Sequence, residues 1–309
     1  MMKSESKIYP VILAGGLGTR MAGGRPSPIP KPLIKLSGKP MVSYILETLR
    51  NIETEKLRNI KIGKPILVIG PKLDLFKKEF GDNCQYVIQK EALGTAHAAK
   101  LAIDYITNSN IGFRDGKQIK MSKIPKSKHK LSGRFEYLNL KNDLGLRASD
   151  SEFKNKNLVL ILQGDDSAFY QSDTLEKFII NHCKEKAILS FLTTKLNDPK
   201  EFGRVIRNQK GEVVDIVEKE NLSVEQKKIK EINCGGYLMD LAWAEENIKK
   251  IRKHYKKGKE YPLPDIIKIG LQQGRRVIAF PIDSSEWFGI NSPEQLKEAE
   301  KLIKKIRFS

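Results

Sequence analysis

The sequence predicts an α/β protein built on a mostly parallel sheet. Two observations carry that expectation. Short apolar runs of strand length alternate along the chain with segments whose apolar residues recur at helical spacing. In addition, three of the runs lead into turns of distinctive chemistry: Gly15-Gly16, Gln89 with Gly94-Thr95, and Gly164-Asp165. An open parallel sheet binds ligands beyond the carboxyl ends of its strands, so these three turns are expected to converge on one edge.

The elements follow in order. Val11–Leu13 reads as a buried strand that breaks into the loop Gly15-Gly16-Leu17-Gly18. Gly38-Lys39-Pro40 opens a helix, with Pro40 suited to its first turn and Met41, Ile45, Leu49 and Ile52 as its buried face. Strands are expected at 65–70 and 84–88, with a short helix over 73–80 between them. The helix that begins at Gly94-Thr95 has an expected apolar face of Ala98, Leu101, Ala102 and Tyr105. The pattern then stops. Residues 108–157 form a lysine-rich, polar insertion, too long for an ordinary connection.

The sheet resumes with a strand over 157–163, a helix near 173–181 and a strand over 187–194. Gln209-Lys210-Gly211 lies between runs 203–207 and 213–218, which is a hairpin signature. Residues 219–230 are charged and irregular, and 232–239 is a strand. Helices are expected over 242–254 and 263–273, and short strands over 276–281 and 287–289. An amphipathic helix over 293–306, led by Ser292 as N-cap, closes the chain. A single domain is expected, with a nucleotide-binding part over 8–107, the insertion, and a metal- and sugar-binding part over 158–309.

Composition narrows the function. The 309 residues carry a formal net charge of +19, which raises the question of nucleic acid. The lysines are spread along the whole chain, however, and aromatics make up 7% with no stacking platform visible, so no nucleic-acid partner is expected. There is no apolar run long enough to span a membrane and no secretory signal, which favours a cytoplasmic setting. Cys84, Cys183 and Cys234 are far apart and form no C-x-x-C pair; reduced thiols are expected, and no zinc site.

The chemistry concentrates in the first glycine loop. Without Cβ atoms, its backbone amides can approach phosphate oxygens, and Arg20 and Lys31 add two positive charges. The loop is neither a G-x-G-x-x-G fingerprint nor a P-loop. Asp165 offers a carboxylate beside a glycine, suited to a hard cation such as the Mg²⁺ of a nucleotide complex. On the residues alone, plainer readings stand beside these. The loop can be a tight connection, Asp165-Asp166 turn residues, Glu218 and Asn233 solvated edge polarity, and His97 a packed or capping side chain.

The segments Leu13-Ala14-Gly15-Gly16-Leu17-Gly18-Thr19-Arg20-Met21 and Gly38-Lys39-Pro40-Met41 resemble those of the sugar-1-phosphate nucleotidylyltransferases. So do Gln89 with Leu93-Gly94-Thr95-Ala96-His97-Ala98, and Gly164-Asp165. Glu231-Ile232-Asn233 with Gly235, and Gly289-Ile290-Asn291-Ser292, are similar to the uridylyltransferase domain of bacterial N-acetylglucosamine-1-phosphate uridylyltransferases.

The resemblance implies a Rossmann-like sheet with helices on both faces and a small β-hairpin region for the sugar. It implies nucleotidyl transfer from a nucleoside triphosphate, UTP first, to a sugar-1-phosphate, with N-acetylglucosamine-1-phosphate first and glucose-1-phosphate or dTTP as alternatives. The product would be a cell-envelope precursor. Arg20 and Lys31 would be catalytic. Leu13, Ala14, Gly15, Gly16, Gln89, Gly94, Thr95 and Gly164 would bind the nucleotide. Gly203, Glu218 and Asn233 would bind the sugar, and Asp165 and Asn291 would hold Mg²⁺.

The chain departs from the family where Asp166 follows Asp165 directly, so Asp166 competes as ligand. The Arg20–Lys31 link is also long, which shifts Lys31 and lets Arg25 share its role. No hexapeptide repeat follows, so no second activity is expected, whereas a homo-oligomer is compatible with the sequence. The reading of another class is a regulatory subunit that binds sugar nucleotide without turnover.

Overall fold

The strand β1 (Lys7–Ala14) is the axis of the fold. The computed structural model describes residues 6–16, 29–57, 60–109, 156–252 and 260–308. Within them β1 pairs in parallel with β4 (Lys61–Ile62), β5 (Ile66–Ile69) and β7 (Leu158–Gln163). β6 (Gln85–Ile88) continues in parallel beyond β5. On the other side of β7 lies β11 (Glu231–Asp240), antiparallel to both β7 and β8 (Leu189–Lys195). β12 (Val277–Pro281) pairs in parallel with β8. The order is β12-β8-β11-β7-β1-β5-β6, with β4 added on β1, a mixed and mostly parallel sheet of eight strands.

Both faces are covered, which explains why the central strands are apolar throughout rather than alternating. Val11, Leu13, Val159 and Ile161 point to the face packed by α3 (Thr95–Ser109), α5 (Leu241–Asn247) and α6 (Asp265–Gln272). Ile8, Ile12, Leu160 and Leu162 point to the opposite face, under α1 (Met41–Arg50), α2 (Leu73–Phe80) and α4 (Ser172–Lys184). The last helix, α7 (Pro293–Phe308), adds a third cluster in which Ala299 and Ile303 meet Leu36, Met41 and Phe169. The expected α/β sheet with helices on both faces is thus the observed one. The hairpin is also present, as β9 (Arg204–Arg207) against β10 (Val213–Val217), and β2 (Lys35–Leu36) pairs with β3 (Lys39–Pro40).

Four local expectations are corrected. Pro40 lies in β3 just before the helix, with φ −52° and ψ 139°, not in the first helical turn. On α3 the buried face is Ala98, Ala99, Ala102, Ile103 and Ile106, whereas Tyr105 is 38% exposed and Leu101 half-buried. The small alanines let the helix approach the sheet more closely than a face containing Tyr105 would. The helix expected over 242–254 ends as α5 at Asn247, followed by a 3₁₀ turn over Ile248–Lys250. Asn247 is buried, donates to the Trp243 carbonyl at 2.8 Å and accepts from Gln273 Nε2 at 2.6 Å, so its side chain competes with the continuing helix. Residues 287–289 form no strand. Trp287 is instead a buried anchor: its indole N–H donates to the Cys234 carbonyl at 3.2 Å and its ring meets Phe202 edge-on at 5.2 Å.

All three cysteines are free, with Cys84 and Cys234 buried. Burial pushes the Cys84 and Cys183 thiols up to about 11. Among the described residues no helix is long and apolar enough to cross a membrane. All but the ends of the basic insertion, with the part of the first loop that contains Arg20 and Arg25, lies outside the described residues.

Candidate active site

The site begins where β1 and β7 end side by side. The Gly164 N–H donates to the Leu13 carbonyl at 2.9 Å. A Cβ on Gly164 would come within 3.1 Å of that same oxygen, so a side chain there would push the strand ends apart by a few tenths of an ångström. Leu13 and Ala14 turn their side chains into opposite core clusters. Only their backbone, and that of Gly15-Gly16 beyond, faces the edge.

Asp165 emerges from β7 at this edge. The Lys31 ammonium reaches it from the 3₁₀ turn Lys31–Leu33 that follows Pro30. Lys31 Nζ lies 2.5 Å from Asp165 Oδ2 and 3.0 Å from Asn291 Oδ1. Lys31 is 6% exposed, so its charge is held by these two oxygens rather than by water. Asn291 is fixed from below by the cap of α7: its N–H donates to Gln295 Oε1 at 2.7 Å, and the Gln295 N–H donates to Ser292 Oγ at 3.3 Å. Trp287, four residues earlier, anchors the approach to that cap.

Asp166 turns inward. Its Oδ1 is buried and has no hydrogen-bond partner. Burial, and then the charge of Asp165, raise its carboxyl well above the usual carboxylate range, with Lys31 opposing them. The oxygens that converge on one cation in the structure are therefore those of Asp165 and Asn291. Two hard oxygen donors meeting at a single positive charge suit Mg²⁺, which takes one or two protein oxygens and leaves the rest to phosphate and water.

A second cluster forms where β6 gives way to α3. Gln89 is buried, and its Nε2 lies 3.2 Å from the Gly94 carbonyl and 3.0 Å from His97 Nδ1. Its Oε1 sits over Gly15, where a Cβ would approach it to 2.9 Å. With its nitrogen engaged on both sides, Gln89 presents its oxygen, an acceptor. Gly94 has φ +97° and packs on Tyr261, whose N–H donates to the Leu93 carbonyl at 2.8 Å. The Tyr261 carbonyl in turn accepts from the Ala96 N–H at 2.9 Å. Thr95 Oγ1 accepts from the Leu263 N–H at 2.9 Å. The loop is therefore pinned to the segment before α6.

The third group lies at the hairpin and on β11. Gly203 runs against Glu218: a Cβ there would come within 2.7 Å of the Val217 carbonyl and 3.3 Å of Glu218 Cα. Asn233 marks a break in the register of β11. Its Oδ1 accepts from the Gly235 N–H at 3.0 Å, and its Nδ2 donates to the Tyr237 hydroxyl at 2.7 Å. Gly235, at φ +79°, packs against Gln163, the last residue of β7. Asn233 is thereby tied to the same sheet edge as Asp165.

The structure joins Lys31, Asp165 and Asn291 directly. It places Leu13, Ala14, Gly15, Gly16 and Gly164 at the paired ends of β1 and β7, Gln89 with Gly94 and Thr95 beside Gly15, and Gly203 with Glu218. Sequence reasoning missed the orienting contact of His97 on Gln89 and the backbone clamp of Tyr261. His97 carried a signal, a polar side chain in an alanine-rich turn. Tyr261 carried none, because its contribution is made entirely by backbone.

Residues 145–306 match the family model described as "Nucleotidyl transferase", and residues 10–109 match "MobA-like NTP transferase domain". The chain is 31% identical over 299 residues to the "Bifunctional protein GlmU" of Caldanaerobacter subterraneus subsp. tengcongensis, covering 97% of this chain and 52% of that protein. It is 30% identical over 299 residues to the protein of the same name from Bacillus licheniformis, covering 96% and 52%. The chain thus spans about half the length of the curated relatives it matches. With one model matching just over half of its residues, the chain belongs to the nucleotidyl transferase family, as a relative of these GlmU proteins.

Proposed function

We propose that the protein transfers a nucleotidyl group from a nucleoside triphosphate to a sugar-1-phosphate and releases pyrophosphate. UTP is the proposed donor and N-acetylglucosamine-1-phosphate the proposed acceptor. The observation that carries this reading is the convergence of Asp165 and Asn291 on Lys31 at the carboxyl edge of β1 and β7.

In this mechanism an oxygen of the sugar phosphate attacks the α-phosphorus. A new phosphorus–oxygen bond forms as the bond to the β-phosphate bridge breaks, and pyrophosphate leaves with the electron pair. Such a displacement needs positioning and charge neutralisation more than covalent help. Lys31 supplies a desolvated positive charge beside the phosphates, and Arg20 is proposed as a second. The Gly15-Gly16 backbone lines the phosphate path.

Asp165 and Asn291 would hold Mg²⁺, which when bound screens the repulsion between the two phosphate groups. Gln89 Oε1 serves as acceptor for the N3–H of a uracil or thymine ring, a donor that cytosine and adenine lack at the matching position. Gly94 and Thr95 flank the base. Gly203, Glu218 and Asn233 line the sugar end, and the Gly203 backbone is close enough to Glu218 for both to contact one hexose.

The test is pyrophosphate release with Mg²⁺, the four ribonucleoside triphosphates and dTTP, crossed with a panel of sugar-1-phosphates. UTP with N-acetylglucosamine-1-phosphate is expected to be the most active pair. Release with no pair overturns the reading in favour of a non-catalytic sugar-nucleotide binder. Preference for glucose-1-phosphate moves the acceptor assignment alone.

A further inference from the structure

Arg204 is 3% exposed, and the transfer chemistry gives it no task. It opens β9, at the end of the hairpin away from the turn. Its side chain donates to main-chain carbonyls. Nε donates to the Ile229 carbonyl at 2.6 Å, and Nη1 donates to the Pro199 carbonyl at 2.7 Å and to the Phe202 carbonyl. A guanidinium presents its N–H groups in a rigid planar fan, which holds several oxygens in set directions. Burying that charge is costly unless such hydrogen bonds are made.

The three carbonyls lie in two segments. Pro199 and Phe202 belong to the loop that leads from β8 into Gly203. Ile229 stands two residues before β11 begins at Glu231. The hairpin β9-β10 is a two-stranded sheet separate from the eight-stranded one. Val205, Val213 and Ile216 sink into the core cluster that also contains Ile266 and Ile267 of α6. Apolar burial is non-directional, so it attaches the hairpin without fixing its position along the main sheet. Directional contacts include Arg207, whose Nε and Nη2 donate to the two Glu231 oxygens at 2.8 and 2.7 Å. Arg207 also donates to the Gly211 carbonyl at 2.8 Å, so it holds the turn end of the hairpin. Arg204 holds the other end.

That other end carries the proposed sugar contacts. Gly203 precedes Arg204, and Glu218 follows Val217, the residue paired with Arg204 in the hairpin register. Asn233 lies on β11, four residues beyond Ile229. Arg204 thus ties the hairpin end that bears Gly203 and Glu218 to the entry of the strand that bears Asn233. Phe202 is held from two sides, its carbonyl by Arg204 and its ring edge-on against Trp287 at 5.2 Å.

We propose that Arg204 is a positioning residue for the sugar phosphate, an inference that rests on the function proposed above. Without touching substrate, it sets the separation of Gly203 and Glu218 from Asn233, and with it the width of the sugar site. Lysine does not replace it. An ammonium on a flexible stem can donate to these carbonyls, but it does not impose the fixed directions of the fan.

The test is steady-state pyrophosphate release by the full chain, with donor and acceptor varied in turn. UTP and N-acetylglucosamine-1-phosphate are the probes, with glucose-1-phosphate as the second acceptor. Arg204→Ala strips the guanidinium donors from three carbonyls and is expected to lower stability, so Arg204→Lys carries the kinetic comparison. Arg204→Lys should raise the KM for the sugar phosphate about tenfold, one charge-assisted hydrogen bond's worth. The KM for UTP should stay as in the parent.

Asn247→Ala is the control for a merely structural effect. It removes a buried, hydrogen-bonded side chain at the end of α5. Its melting temperature should fall while both KM values stay as in the parent. An unchanged sugar-phosphate KM in Arg204→Lys, an equal rise in both KM values, or the same rise in Asn247→Ala overturns the proposal. Failure of the parent to release pyrophosphate with any acceptor is a separate result, which removes the proposed function and this role with it.

Discussion

Lys31 and Asn291 are 260 residues apart in the chain, and the Lys31 ammonium donates to Asn291 Oδ1 at 3.0 Å. Asp165 completes the cluster from a third segment, 2.5 Å from the same nitrogen. Under the proposed mechanism Asp165 would hold the metal of the triphosphate, so Asp165→Ala is expected to lower pyrophosphate release at least about a thousandfold. The side chain of Asp165 is 32% exposed, so water can reach the vacated side and the stability cost should be about 2 kcal/mol. A steady-state assay and a thermal melt check both. Full activity in this variant would transfer the metal role to Asp166.

Gly94 makes a sharper structural prediction. A methyl group there would meet the Tyr261 carbonyl at 2.7 Å and the Tyr261 nitrogen at 2.8 Å, at φ +97°. Gly38 has a similar φ of +91° with nothing within 4 Å of a Cβ, so it isolates the cost of backbone strain. Gly38→Ala should cost about 1 kcal/mol and leave the nucleotide KM unchanged. Gly94→Ala should cost about 1 kcal/mol more than that and raise the nucleotide KM, because the clamp through Leu93 and Ala96 must open. Equal KM values in the two variants would remove the clamp from nucleotide binding.

In the proposed base site, His97 would act on the base through Gln89. Its Nδ1 is 3.0 Å from Gln89 Nε2, and burial lowers its pKa, which keeps the ring neutral and able to accept. In His97→Leu the Gln89 amide loses the partner that keeps its oxygen outward. The expected result is a rise in the UTP KM of about five- to tenfold, one hydrogen bond's worth, with kcat little changed. Discrimination between UTP and CTP should fall by a similar factor. Unchanged discrimination would return His97 to a packing role.

His182 predicts acid sensitivity. Burial lowers its pKa to about 4, with Lys156 acting in the same direction, from an ordinary value of 6.5. Between those values the unfolded chain binds the proton more tightly than the folded one. Its contribution is therefore fully present above pH 6.5 and is lost as the pH falls towards 4. Lowering the pH from 7.5 to 5 should cost about 2 kcal/mol through this group. Urea unfolding at the two pH values checks it. A His182→Gln variant that keeps the whole of the parent's acid loss would place that loss elsewhere.

Much of the architecture was legible because burial on both sheet faces leaves a local mark. Val11–Leu13, 65–70 and 158–162 are continuous apolar runs, and Met41, Ile45, Leu49 and Ile52 repeat at helical spacing; all four of these side chains are buried. Where side-chain competition rather than periodicity set the outcome, the reading slipped. Asn247 ended a helix early and Trp287 anchored a segment with no strand, because both are decided by partners distant in sequence.

The sequence by itself determined the strand-and-helix order, the glycines that let β1 and β7 end together, and the residue types able to meet phosphate and metal. These follow from short-range chemistry: the absent Cβ, the period of the pattern, the charge of a side chain. Only the tertiary structure decided that Asp165 and Asn291 share Lys31, that Asp166 turns into the interior, and that Gln89 offers its oxygen. The same holds for His182, whose Nε2 is buried without a hydrogen-bond partner at the far edge. The Lys31 cluster depends on contacts between segments 134 and 260 residues apart, and the others on how neighbouring elements turn against one another.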